Sequence, residues 1–153
     1  MIMTERLELI PFNPVNVEEV SRQYPIGPHV ESYLERLEED PEEMGWGVWY
    51  VVDKMTRQVI GDLGFKGKPS GRTVEVGYGF LPEVHNRGYA TEAVKALLTW
   101  AFSTGQVDRV TAECLQDNPG SRRVLEKADF VQTGSRDGML DWEIERESWS
   151  SLS

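Results

Sequence analysis

Residues 73–103 carry an alternating strand pattern that passes through a short polar loop into a helix pattern. In TVEVGYGF, residues 73–80, the even positions are apolar, and positions 75, 77 and 79 are Glu, Gly and Gly. A strand places alternate residues on opposite faces, so this segment has one apolar face and one nearly bare face. TEAVKALLTWAFS, residues 91–103, repeats apolar residues at helical spacing. A strand that leads directly into a helix predicts a fold with helices packed on a sheet.

The rest of the chain extends this prediction. Strand patterns occur at residues 6–10, 46–53, 58–66 and 107–114 and in two pieces near the end, and helix patterns at 16–24, 30–43 and 118–128. Asn118 followed by Pro119 is a strong helix start. The predicted fold class is mixed α/β (α+β), with a sheet of about six or seven strands flanked by about four helices.

Length and composition indicate one ordinary domain. The chain has 153 residues, and we expect residues 1–153 to form a single domain. No apolar run approaches the roughly 20 residues that span a bilayer, and the N-terminus lacks the pattern of a signal peptide. Cys114 is the sole cysteine, and His29 and His85 are the histidines, so no disulfide and no metal site are expected. The simplest interpretation is a cytoplasmic protein with no membrane partner.

The formal net charge of −10 is concentrated at the start of the chain. Residues 1–45 hold 11 acidic and 3 basic residues, whereas the remaining residues have a net charge of −2. Nucleic-acid binding requires clustered Lys and Arg, so we expect no nucleic-acid partner. The acidic start either attracts a cationic partner or is a solvated helix face that keeps the protein soluble.

The loop FLPEVHNRGYATEAV, residues 80–94, has two interpretations. The first residues of a helix carry unpaired N–H groups and a positive dipole end, which together bind phosphate. Gly88 would let the backbone approach such an anion, and Arg87 would add a charge-assisted donor. Alternatively, the loop is a plain turn, with Asn86 or Thr91 as the helix cap and Arg87 in solvent. A P-loop is excluded because the chain has no GxxxxGK(S/T) run, and the dinucleotide fingerprint fails at its third glycine.

Gly77 and Gly79 leave one face of the predicted strand bare beside Glu75. Glycine within a strand marks the close approach of a ligand or of another backbone. It also marks a β-bulge or tight packing against a helix. The sequence leaves both explanations open.

Several motifs, taken in order, resemble the GCN5-related N-acetyltransferases (GNAT), especially the ribosomal-protein N-terminal acetyltransferase-like subgroup. HNRGYA at residues 85–90 is similar to the family's Q/R-x-x-G-x-G/A loop, which grips the pyrophosphate of coenzyme A. NPGSRRVLEKADF at residues 118–130 resembles its N-x-x-S and leKxGF elements, and VEVGYGFLPE at residues 74–83 resembles its central strand. The resemblance extends from about residue 4 to residue 145. It implies the GNAT fold, a mostly antiparallel sheet that splays at its centre.

The resemblance implies an acyltransferase that moves an acetyl group from acetyl-CoA to a primary amine through a tetrahedral intermediate. The amine must lose a proton before it attacks, and Glu75 is the first candidate to accept it, with Asp141 and Glu143 as alternatives. Glu75 has a second interpretation as a salt-bridge or exposed-face residue. Ser121 is implied as the donor to the leaving thiolate, although it is also an ordinary helix-start serine.

Acetyl-CoA is the implied cosubstrate, and no metal is implied. The region Gly79–Leu81 would supply a backbone N–H to the oxyanion, the loop would hold the pyrophosphate, and Asn118 would contact the pantetheine arm. The implied binding residues are Phe80, Leu81, His85, Asn86, Arg87, Gly88, Tyr89, Ala90, Thr91, Asn118 and Ser121.

The acceptor is less specified than the cosubstrate. Residues 12–45 correspond to the region that shapes acceptor pockets in the family, and their Glu-rich content suits a cationic amine, such as a peptide N-terminus, a polyamine or an aminoglycoside. The protein is expected to be a monomer or a homodimer.

Three positions depart from the family pattern. His85 replaces Gln or Arg, Asp129 replaces a glycine, and Leu125 replaces a tyrosine that many members use as general acid. A catalytically silent sensor of CoA or acetyl-CoA, or an interaction module, is therefore the alternative function.

Overall fold

A computed structural model describes residues 1–152 of the chain. Within these residues the structure has eight strands and five α-helices, with short 3₁₀ turns at Pro41–Glu43 and Pro82–Val84. The strands are β1 Ile2–Met3, β2 Leu7–Pro11, β3 Val48–Asp53, β4 Val59–Phe65, β5 Thr73–Phe80, β6 Arg109–Leu115, β7 Val131–Arg136 and β8 Met139–Glu145; the helices are α1 Asn16–Ser21, α2 Pro28–Glu39, α3 Tyr89–Ser103, α4 Pro119–Lys127 and α5 Arg146–Leu152.

The strands form one sheet in the order β1-β2-β3-β4-β5-β6-β8-β7. Neighbouring strands are antiparallel except for β5 and β6, which are parallel. The predicted mixed α/β sheet flanked by helices is confirmed, with one more strand and one more helix than expected. The additions are β1, whose two residues are too few to show alternation, and α5, a seven-residue helix at the end of the chain.

Helices cover both faces of the sheet. The larger apolar core lies between the sheet and helices α3 and α4. A smaller core on the opposite face joins α1 and α2 to strands β3 and β4. Alternation along β3 supplies both cores, because Trp49 and Val51 face α3 while Val48 and Val52 face α2. Among the described residues, no helix combines the length and the apolar character that a membrane span requires.

The sheet splays between β5 and β6. These strands pair only at Thr73–Glu75, at the start of β5. Beyond Glu75, β5 stays paired to β4 as far as Phe80, whereas β6 stays paired to β8 along its whole length. Because each strand keeps its outer neighbour, a wedge-shaped gap opens between them.

Candidate active site

A cleft of about 720 Å³ opens at this gap. Its walls are the end of β5, the loop that follows, the first turn of α3 and the first turns of α4. The structure thus brings together most of the residues that the sequence predicted for cosubstrate binding. The predicted residues that line the cleft are Phe80, His85, Asn86, Gly88, Tyr89, Ala90, Thr91, Asn118 and Ser121.

The edge of β5 offers backbone groups to the cleft. The Leu81 N–H donates to the Ile60 carbonyl at 2.9 Å, on the β4 side. Alternate residues of an antiparallel strand direct their N–H and C=O groups to opposite sides, so Tyr78 and Phe80 direct theirs toward β6. The ladder between β5 and β6 ends at Glu75, so these groups face the open gap.

Helix α3 begins with its N–H groups directed at the cleft. Gly88 occupies the N-cap position with φ of 79°, a left-handed conformation that glycine adopts without strain. No side chain in the described part of the chain caps this helix, so Asn86 and Thr91 do not have the capping role that the plain-turn interpretation requires. The unpaired N–H groups and the positive end of the helix dipole make this terminus suitable for an anion.

A hydrogen bond from His85 connects the loop to the end of β5. Its Nε2 lies 2.9 Å from the Phe80 carbonyl oxygen. A carbonyl only accepts hydrogen bonds, so Nε2 carries the proton and donates it. The residue that departs from the family pattern therefore holds the loop against the edge of the strand.

Arg6 contacts the loop and the first turn of α3 and holds them in position. The sequence reasoning missed this role. Its Nη1 donates to the Arg87 carbonyl at 3.0 Å, its Nε donates to the Glu92 carboxylate at 2.7 Å, and its guanidinium stacks 4.2 Å from the Tyr89 ring centroid. Thr4 Oγ1 also donates to Glu92, at 2.6 Å. These contacts connect the first turn of α3 to the residues that precede β2.

Two predicted cosubstrate-binding residues do not line the cleft. Leu81 has its N–H engaged with Ile60, and its side chain packs in the core on the α1–α2 face. Arg87 is exposed, and its carbonyl accepts the hydrogen bond from Arg6.

Helix α4 forms the opposite wall. Asn118 Oδ1 accepts a hydrogen bond from the Ser121 N–H at 3.1 Å, which confirms the predicted cap. Ser121 lines the cleft, and its side chain lies close to the Tyr78 hydroxyl. Leu125 is fully buried in the core and does not line the cleft.

Tyr78 is a cleft residue that the sequence indicated only as part of an apolar face. Its hydroxyl donates to the Ser121 carbonyl at 3.2 Å, across the gap between β5 and α4. Burial raises the pKa of Tyr78, and the side chain of Ser121, as distinct from its carbonyl, lowers it by a smaller amount. At neutral pH the Tyr78 hydroxyl therefore keeps its proton and can donate it. The hydroxyl lies close to α4, where Leu125 has no hydroxyl to donate.

The α4 wall is basic. Arg123 and Lys127 both line the cleft, one turn apart on the same helix. Their charge favours an anionic ligand in a protein whose net charge is strongly negative. The sequence reasoning missed these residues, and the signal that would have found them is their i, i+4 spacing after the Asn118 cap.

The predicted catalytic carboxylates lie on the other face of the sheet. Glu75 forms an ion pair with Lys66, and Asp141 is held by Arg136 at 3.2 Å. Glu143 lies 3.7 Å from Arg109. Buried neighbours in β5 and β8 face α3 and α4, so these three acids face away from those helices. None of them lines the cleft described above.

Gly77 and Gly79 lie on that same face. A Cβ atom at either position would meet nothing within 4 Å, so neither glycine is required for tight packing. The register between β4 and β5 continues past both residues without a shift, which excludes a bulge in this pair. The face of β5 at Gly77 and Gly79, called the bare strip below, is open surface beside the gap, as expected for the approach of a ligand.

Comparison with known proteins gives evidence on the family of this chain that does not depend on the geometry of the cleft. The family model described as "Acetyltransferase (GNAT) domain" matches residues 6–131. The chain is 36% identical over 88 residues to the uncharacterized N-acetyltransferase YjdG of Bacillus subtilis (strain 168), covering 57% of this chain and 52% of that protein. It is 32% identical over 94 residues to the ribosomal-protein-serine acetyltransferase of Escherichia coli (strain K12), covering 60% and 51%. The chain spans about half the length of these curated relatives.

A solved structure shares the fold over nearly the whole chain. The spermidine N-acetyltransferase of Vibrio cholerae in complex with CoA and spermine superposes with a TM-score of 0.74, covering 96% of this chain and 99% of that one. The sequences are 14% identical, so this similarity concerns the fold alone.

Proposed function

Because the chain belongs to the GCN5-related N-acetyltransferase (GNAT) family, we propose that it transfers an acetyl group from acetyl-CoA to a primary amine. The proposal rests on one observation, which is that three features meet in one cleft. They are the open edge of β5, the uncapped N-terminus of α3 and the basic wall of α4. We further propose that residues 1–153 act as one acetyltransferase domain.

The residues of the cleft suit coenzyme A. The N–H groups at the start of α3, between Gly88 and Thr91, would hold the pyrophosphate, since a helix N-terminus stabilises negative charge. Arg123 and Lys127 would add positive charge for the phosphate groups. Backbone groups of Tyr78 and Phe80 would pair with the amides of the pantetheine arm, in the manner of an added strand.

Cleft residues would also assist the reaction. The Phe80 N–H faces the gap and would donate to the oxygen on which negative charge develops. Either the Ser121 or the Tyr78 hydroxyl would donate to the leaving sulfur. Acetyl-CoA supplies the activated acetyl group, and the base that accepts the amine proton is proposed to lie on the opposite face of the sheet, where the predicted carboxylates Glu75 and Asp141 also lie.

The acceptor is proposed to be a cationic primary amine. The acidic first 45 residues favour a positively charged partner, and α2, Pro28–Glu39, carries much of that charge. The similarity to a ribosomal-protein-serine acetyltransferase and to a spermidine N-acetyltransferase supports testing both a peptide N-terminus and a polyamine.

Thiol release from acetyl-CoA tests the proposal. The purified protein is incubated with acetyl-CoA and with spermidine, an N-terminal serine peptide or an N-terminal alanine peptide. A thiol-reactive dye reports free CoA, and Cys114 contributes little background because it is buried. We expect release that requires an amine and that falls about 10- to 100-fold in Ser121→Ala or Tyr78→Phe, whichever hydroxyl is the donor. Asp108→Asn, at an exposed ion pair with Arg72, is the control.

The burial of Leu125 favours one alternative, a catalytically silent CoA-binding module. CoA would then raise the melting temperature, because a ligand of the native state stabilises it. No amine would stimulate thiol release. Stabilisation without turnover across the panel would therefore replace the enzymatic proposal with this one.

A further inference from the structure

Three polar side chains form a linked cluster on the α1–α2 face, outside the cleft. Tyr24, which follows α1, donates its hydroxyl to Asp62 Oδ2 at 2.6 Å. His29, in the first turn of α2, lies with Nε2 2.9 Å from Asp62 Oδ1. An ionised carboxylate only accepts, so Nε2 carries the proton and Nδ1 keeps its lone pair when the ring is neutral. A carboxylate that orients an imidazole in this way resembles the arrangement around a general base.

The cluster lies beside the bare strip of β5. Asp62 on β4 is in register with Gly79 on β5, so the carboxylate and the open position above Gly79 are cross-strand neighbours. The side chain of Asp62 is 15% exposed and that of His29 is 54% exposed, so solvent reaches the pair. The Phe80 N–H, next in the chain after Gly79, faces the gap. The cluster and the cleft therefore lie on opposite faces of the same strand end.

The His29 ring packs against Gly27, with Cε1 and Nδ1 as its nearest atoms. A Cβ at Gly27 would lie 2.6 Å from His29 Cε1 and 2.7 Å from Nδ1, closer than real side chains approach. Among the described side chains, Nδ1 accepts no hydrogen bond, so no protein donor occupies the atom that would take a proton. A larger residue at position 27 would displace the ring.

We propose that His29, oriented by Asp62, is the general base that accepts the proton of the acceptor amine. This inference rests on the proposed acetyl transfer. The ammonium group of the acceptor gives one proton to Nδ1, directly or through one water, and its nitrogen lone pair then forms the C–N bond to the thioester carbon. The C–S bond breaks with its electron pair on sulfur, and the second amine proton, lost as the amide forms, returns to the hydroxyl that protonates the sulfur. The Ser121 or Tyr78 hydroxyl donates to the sulfur, and the imidazolium returns its proton to solvent.

The geometry favours His29 over the carboxylates on the same face. Glu75 is paired with Lys66, and Asp141 is paired with Arg136. A cationic amine that approached either acid would have to displace that basic side chain. His29 has an anionic partner, so an approaching ammonium group meets an imidazole backed by negative charge.

Three titratable side chains of neighbouring elements lie close to the imidazole or to its partner. Asp62 faces it from β4, and Tyr24 faces Asp62 from the end of α1. Tyr50 lies opposite Asp62 on β3. Burial and the hydrogen bond to Asp62 raise the pKa of Tyr24, and burial raises the pKa of Tyr50, so both phenols stay neutral where an imidazole titrates.

Substitution at His29 tests the proposal in the full chain. With the panel amine that the wild type acetylates, we expect His29→Gln to lower kcat/KM by about 100-fold and to remove the acid limb of its pH profile. Asp62→Asn should reduce kcat/KM in the same direction, by a smaller factor. CoA affinity, measured by calorimetry, should stay unchanged in both, because neither residue lines the cleft. Asp108→Asn is the matched carboxylate-to-amide control.

A double-mutant cycle with Gly27→Ala separates a role in catalysis from a loss of packing. Gly27→Ala should lower kcat/KM, and Gly27→Ala combined with His29→Gln should be no worse than His29→Gln alone, since both remove the same function. Nitrogen-15 spectra of the protein without acetyl-CoA provide a second readout, in which the His29 ring should be the Nε2–H tautomer and should lose that preference in Asp62→Asn.

The outcomes distinguish this inference from the proposed function. A wild type that releases thiol, with His29→Gln within twofold of it at every pH, would overturn the inference alone. Additive losses in the cycle or an Nδ1–H tautomer would also overturn it. A wild type that turns over none of the amines would overturn the proposed function and this inference together.

Discussion

Asp129 departs from the family pattern without changing the backbone turn that glycine makes at this position. It has φ of 69°, and the Phe130 N–H donates to the Leu125 carbonyl at 3.0 Å, as in a glycine-type helix C-terminus. The backbone therefore keeps the turn that glycine usually makes, and the side chain tolerates a left-handed conformation. The departure that the sequence analysis noted affects stability rather than the cleft.

Asp129→Gly should stabilise the protein. Removal of the side chain relieves a left-handed strain of about 1 kcal/mol, which corresponds to a rise of about 2–4 °C in melting temperature for a chain of this size. Differential scanning calorimetry measures it, with exposed Asp117→Gly, which lacks a positive φ, as the control. An unchanged or lower melting temperature would show that the Asp129 side chain makes a compensating interaction.

His85 should be replaceable by a residue that preserves its hydrogen bond. His85→Gln keeps a side-chain N–H for the Phe80 carbonyl, so its CoA affinity should match that of the wild type. His85→Ala loses about 1 kcal/mol of hydrogen bonding, and its Kd for CoA should rise about fivefold. Calorimetric titration with CoA tests both variants, and equal affinity of His85→Ala and the wild type would refute the role of the hydrogen bond.

At the scale of elements, the unit of β5, loop and α3 was predictable, because each part carries a local pattern. The alternation in Thr73–Phe80 set the strand bounds, and the Asn118–Pro119 pair set the start of α4. The splay was not predictable from residues 73–80 alone. It depends on the point at which β5 stops pairing with β6, and no residue pattern within 73–80 marks that point.

The same distinction holds within the candidate site. Residues of the loop could be found from a contiguous motif, whereas the brace formed by Arg6 joins positions more than 80 residues apart. The His29–Asp62 pair also joins separate segments, and no local spacing relates them. Tyr78 was visible only as one member of an apolar face, since its hydroxyl contact depends on where α4 packs.

Glu92 should make the attachment of α3 dependent on pH. Desolvation opposes ionisation, but hydrogen bonds from Thr4 and from the Arg6 backbone and side chain outweigh it, so the pKa of Glu92 is lowered. A carboxyl with a lowered folded-state pKa adds stability above its ordinary value of about 4.3, and that stability is lost as the pH falls through the folded-state value. Glu92→Gln should therefore be less stable than the wild type at pH 7, with a smaller deficit below about pH 4.

Urea unfolding at several pH values measures this deficit. Exposed Glu126→Gln on α4 serves as the control, since it lacks the contacts of Glu92 and should show little pH-dependent difference from the wild type. A Glu92→Gln deficit that is constant from pH 7 to pH 3.5 would contradict the linkage.

Arg6→Lys should also weaken CoA binding, because lysine cannot reproduce the three contacts of the guanidinium group.

At the scale of the whole molecule, charge divides the protein into two regions. The cleft has a basic wall, whereas the opposite face of the sheet carries Glu75, Glu113, Asp141 and Glu143, each paired with a basic side chain. Residues 1–45, which hold a net charge of −8, cover part of that face with α1 and α2. An anionic cosubstrate and a cationic acceptor would thus approach from opposite sides of one gap.

This division predicts a salt dependence that differs between acceptors. Raising the ionic strength from about 0.02 to 0.5 M screens exposed charges, so the apparent affinity for spermidine, as substrate or competitive inhibitor, should weaken by roughly three- to tenfold. A peptide whose only charge is its N-terminal amine should respond much less. Equal salt dependence for the two amines in steady-state kinetics would show that the acidic face does not attract the acceptor.

The position of CoA in a crystal structure of its complex with this protein tests the central claim most directly. We predict electron density for the pantetheine arm between β5 and β6, with hydrogen bonds to the backbone of Tyr78 and Phe80. The pyrophosphate should lie on the N–H groups at the start of α3, between Gly88 and Thr91. CoA bound outside the gap, or with its pyrophosphate away from α3, would contradict the assignment of the cleft.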